Sequence, residues 1–86
     1  MKKAALVNTL SQAITNTDAT KESVTLSPPL LDDLQKRGLF FTLHDAFLTV
    51  SFEGDSETFE ATDSDKAASE AVEAAISMLE AYDEEL

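Results

Sequence analysis

The chain has 86 residues, 43% of them apolar, and its 17 acidic and 6 basic side chains leave a formal net charge of −11. That length predicts one domain, residues 1–86, with a modest core, and the apolar content excludes disorder of the whole. The absence of cysteine excludes a disulfide framework, a thiol nucleophile and thiolate metal sites.

Residues 4–15 place Leu6, Val7, Leu10, Ala13 and Ile14 at helical spacing, with Asn8, Thr9, Ser11, Gln12 and Thr15 between them. This predicts an amphipathic first helix with an uncharged polar back, ended by Asn16-Thr17-Asp18. The same polar residues interrupt the run after Met1-Lys2-Lys3, so it does not read as a signal peptide. No stretch is long and apolar enough to span a bilayer, and a cytoplasmic protein is expected. Residues 22–26 alternate in a strand-like way and predict either an edge strand or an extended connection. Ser27-Pro28-Pro29 predicts the start of a second helix, with Ser27 as N-cap and Pro28 at the first helical position. Asp32 and Asp33 in its first turns and Lys36 and Arg37 in its last complement the helix dipole. Gly38 then supplies a left-handed stop, with Leu39 packing back on Leu34. Leu30, Leu31 and Leu34 are its expected buried stripe.

Residues 39–52 read as a β-hairpin closed by Asp45-Ala46. That register pairs His44 with Phe47, Leu43 with Leu48, Phe41 with Val50 and Leu39 with Phe52, and it sorts six apolar residues onto one face. A slip of one residue would scatter them. Ala46 is the weak point, since a tight primed turn prefers glycine there. Glu53-Gly54-Asp55-Ser56 predicts a second turn and residues 57–61 a polar third strand, with Phe59 inward and Glu60 outward. Asp63 or Ser64 caps the last helix. Its apolar stripe is Ala68, Ala71, Val72, Ala75, Ile76, Leu79 and Tyr82, opposite Glu70, Glu73, Ser77, Glu80 and Glu84. The predicted architecture is α+β: helix, short strand, helix, three-stranded antiparallel meander, helix, with the helices on one face of the sheet.

The charge is unevenly spread. Residues 1–52 carry five bases and five acids, whereas residues 53–86 carry twelve acids against Lys66 alone. Such a field favours cationic partners and disfavours nucleic acid and anionic membranes. The candidate partner-binding residues are Glu57, Glu60, Glu70, Glu73, Glu80 and Glu84, facing a protein with a basic surface. A solvated helix face kept for solubility is the competing explanation. A second candidate is the outward face of the hairpin, where Phe40, His44 and Phe47 would form a homodimer interface unless the first helix covers them.

Catalytic and metal chemistry find little support. His44 is the one histidine, and scattered hydroxyls supply no nucleophile, base and orienting group in sequence proximity. Transition-metal sites want several His or Cys ligands, and the spacing of a calcium-binding loop is missing. No catalytic, cofactor or metal residue is therefore assigned. Asp63-Ser64-Asp65 shares two residues with the Asp-Ser-Leu site of acyl carrier proteins, but an acid replaces the leucine and a β block precedes it. Leu30 to Leu39, followed by Leu43 to Val50, resembles the helix-plus-hairpin docking domains of some nonribosomal peptide and polyketide synthetases. That resemblance implies a protein-binding module. The expected function is non-enzymatic binding of a partner protein through the anionic C-terminal half, in the manner of phage- or mobile-element-type inhibitors and DNA mimics. The alternative is a small assembly protein dimerising through Phe40, His44 and Phe47.

Overall fold

The computed structural model describes residues 2–18 and 22–86. In chain order these form α1 (Lys2–Asn16), β1 (Val24–Thr25), one 3₁₀ turn (Pro29–Leu31), α2 (Asp32–Lys36), β2 (Phe40–His44), β3 (Phe47–Phe52), β4 (Asp55–Glu60) and α3 (Ser64–Glu80). The sheet is antiparallel, in the order β1-β2-β3-β4. Of the two readings of residues 22–26 the edge strand holds: Val24 and Thr25 pair with Leu43 and Thr42, and the Leu26 amide donates to the Phe41 carbonyl at 2.8 Å, so the three-stranded meander gains a fourth strand.

The β2–β3 register is the one that the alternation predicts, from Phe41 opposite Val50 to His44 opposite Phe47. Phe41, Leu43, Leu48, Val50 and Phe52 are all buried on one face. Pairing stops at Phe40 and Ser51, so Leu39 reaches the core from the end of α2 rather than from opposite Phe52. Asp45 takes a left-handed φ of 53°, and Ala46 is thereby relieved of the conformation that would call for glycine. In the second hairpin Glu53 and Gly54 both have positive φ, 52° and 85°, as a two-residue primed turn requires. Asp55 and Ser56, expected in that turn, therefore already belong to β4.

The second helix starts later than predicted. A residue before proline is pushed out of the α region, and Pro28, which precedes Pro29, is extended at φ −66° and ψ 152°. Ser27 is thus not the N-cap: its hydroxyl reaches the Thr25 carbonyl and accepts from Gln35. The 3₁₀ turn faces Leu31 inward and leaves Leu30 41% exposed, so Leu30 drops out of the buried stripe. The helix end is as predicted. Gly38 has φ +92°, Gly38 N–H bonds the Gln35 carbonyl and Leu39 N–H the Leu34 carbonyl, and Leu34 and Leu39 are buried together.

Asp63 caps α3 by accepting from the Lys66 amide at 3.2 Å. The buried side of α3 is broader than the predicted stripe, adding Ala67, Ala74 and Met78, because the helix packs against α1 on one flank and β3 and β4 beneath. Five buried alanines let it approach these neighbours closely. The helix ends at Glu80, before Tyr82, which lies in the next turn and meets Phe52 edge to face at 5.4 Å. Asp83 there adopts φ +58°, with Asp83 N–H bonding the Glu80 carbonyl and Glu84 N–H the Leu79 carbonyl. This is the same hydrogen-bond pattern that Gly38 completes in α2, here built on an aspartate.

On α1 the predicted polar back is not wholly outward. Ser11 is buried at 7% exposure, and its hydroxyl contacts Ser64 and donates to the Asp65 carboxylate. Thr15 adds a bond to Ser64 at 3.1 Å. These hydroxyls tie α1 to the first turn of α3.

Candidate functional site

With the helices on one side, the other face of the sheet is open. Strand register arranges it in three rows. Phe40, Ser51 and Ser56 form one; Thr25, Thr42, Thr49 and Thr58 form the next, across all four strands; His44, Phe47 and Glu60 form the third. The Thr49 and Thr58 hydroxyls are 3.0 Å apart and hydrogen-bonded. Phe40 is 39% and Phe47 47% exposed, so α1 does not cover them. His44 and Phe47 are direct neighbours, while Phe40 lies four residues along β2, about 13 Å away at the usual rise. The three predicted dimer residues therefore share a face without forming one aromatic cluster.

The second feature is the free edge of β4. The Ala61 amide donates to the Ala46 carbonyl, so alternate residues Asp55, Glu57 and Phe59 turn their backbone groups toward β3. Ser56, Thr58 and Glu60 turn theirs to the open edge. On the helix side of this edge a groove runs between β4 and α3. One stretch is lined by Asp55, Glu57, Ala74, Ser77, Met78 and Ala81. The other is lined by Phe59, Glu60, Asp63, Lys66 and Glu70. Small α3 side chains keep the groove open, and among the described residues none of its acids is in an ion pair.

The six predicted acids fall into three places. Glu57 and Glu70 line the groove, with Glu60 at its rim but turned to the outer face, since Glu60 pairs beside Phe47 and Glu57 beside Val50. Glu73 faces α1, where Lys3 reaches it at 3.4 Å. Glu80 and Glu84 sit with Asp83 and Glu85 at the C-terminal end of α3. Asp55 and Asp63 belong to the acids of the meander that extend the anionic surface, and their placement beside α3 brings them to the groove.

His44 is exposed and makes no side-chain hydrogen bond among the described residues. No group of three or more His, Asp or Glu side chains among them is arranged to hold a metal ion. No helix among them is long and apolar enough to cross a membrane. Comparison of the chain with family models, curated proteins and solved structures finds no match.

Proposed function

We propose that this is a non-enzymatic, cytoplasmic binding protein that captures a partner protein with a basic surface along the β4–α3 edge. The observation that carries this reading is the coincidence of unused backbone groups on Ser56, Thr58 and Glu60 with the acids Asp55, Glu57, Asp63 and Glu70 beside them. An extended basic segment of the partner can add to the sheet edge through its backbone and place alternate Lys or Arg side chains in the groove. Charge complementarity then supplies specificity and encounter rate. A surface of this kind competes with nucleic acid for a basic site, as DNA mimics and the inhibitors carried by phages and mobile elements do.

The test is affinity capture from the native host at low and physiological salt. Capture is expected to weaken with salt and to be lost with Glu57→Lys/Glu70→Lys, while Glu80→Lys/Glu84→Lys retains it. Capture that ignores both salt and the groove substitutions would overturn the proposal.

A further inference from the structure

We propose that a second copy of this chain covers the outer sheet face, which meets the acidic groove only along the β4 edge, at Ser56, Thr58 and Glu60. The face is nearly free of charge in a protein of net charge −11: across its three rows Glu60 is the one acid and His44 the one other ionisable group. It also exposes Phe40 and Phe47, two apolar side chains at opposite ends of the face that a facing copy would take out of water.

The rows are self-complementary. A two-fold axis along β3, in the plane between two stacked sheets, leaves each β3 residue facing its own counterpart. It also sets β2 of one copy over β4 of the other. His44, Phe47 and Glu60 share one row, and Thr42, Thr49 and Thr58 share the next. Phe47 then meets Phe47 of the second copy, Thr42 meets Thr58, and His44 meets Glu60. Stacked sheets lie about 10 Å apart, a gap that these side chains span. An axis across the strands would instead set Glu60 against Ser56 and leave His44 without a carboxylate. Three strands and six residues of length give a face of roughly 15 by 20 Å. That buries roughly 600 Å² over the two copies, below the range of stable interfaces, so a weak, reversible dimer with a dissociation constant on the order of 100 μM is expected.

Sedimentation equilibrium of the full chain, from about 1 μM to about 1 mM, tests this across the range expected for so small an interface. A reversible dimer is expected. His44→Glu, which would set carboxylates face to face, should weaken it about tenfold or more, Glu60→Lys should also weaken it, and His44→Glu/Glu60→Lys should restore it. Added salt should strengthen the dimer by screening two copies of charge −11, the opposite of its effect on capture of a basic partner, so the two proposals fail separately. A monomer throughout the range would overturn the inference. So would a double variant as weak as His44→Glu with an unchanged circular dichroism spectrum.

Discussion

Ser11 of α1 donates its hydroxyl to the carboxylate of Asp65 in the first turn of α3, 54 residues away. The bond joins the two long helices beside the Ser11–Ser64 and Thr15–Ser64 hydroxyl contacts, with Leu10 and Ile14 buried on either side. Asp65 also sits where the dipole of α3 favours an anion. Replacing Ser11 by alanine is expected to cost about 1 kcal/mol. The exposed Asp65 carboxylate can rehydrate, so the penalty of a stranded buried charge does not apply. Urea denaturation of Ser11→Ala, Asp65→Ala and the double variant would show coupling between the sites; additive losses would contradict the bond.

The two helix ends closed by left-handed residues should respond in opposite directions. A Cβ at Gly38 would meet nothing within 4 Å, so Gly38→Ala tests backbone strain alone and should destabilise by about 1–2 kcal/mol. Asp83 holds the equivalent position after α3 at φ +58°, where its negative charge also opposes the helix dipole. Asp83→Gly should stabilise by up to about 1 kcal/mol. In a domain of this size that is a rise of about 4–8 °C in Tm, and a fall would contradict the assignment.

The alanine face of α3 sets its distance from α1 and the sheet. Ala71 and Ala75 are buried almost completely in the middle of that contact. Ala71→Leu is expected to overpack it and cost about 1–3 kcal/mol, read by thermal melting. A neutral substitution would mean that the helix stands further off.

Charge repulsion should be visible in stability. The ion pairs Lys3–Glu73 and Arg37–Asp33 each have an exposed partner and contribute little, whereas twelve acids crowd residues 53–86. Screening should therefore raise the Tm between low and physiological salt. A Tm indifferent to salt would contradict this.

Elements whose limits rest on local chemistry were legible in the residues themselves. Gly38 ends α2 by its φ, Asp63 caps α3 by its carboxylate, and the alternation from Phe41 to Phe52 fixes the hairpin register. The misplacements came where local preferences compete or where tertiary contact decides. Pro29 overrides the capping tendency of Ser27, and Ser11 is drawn inward by Asp65. Residues 22–26 leave strand and connection open, and the edge that β2 offers decides for the strand. The acids illustrate the same limit. Helical spacing puts Glu70, Glu73 and Glu80 on one stripe, but Lys3 occupies Glu73. Asp55 and Glu57 join Glu70 only because β4 runs beside α3.

The β4–α3 edge as a docking site is tested most directly by amide hydrogen exchange of the full chain, with and without a lysine-rich extended peptide as probe. The amides of Ser56, Thr58 and Glu60, which point to the open edge, should gain protection, and Glu57→Lys/Glu70→Lys should abolish the gain. Protection confined to Glu73, Glu80 and the acidic turn after α3, or none at all, would contradict it.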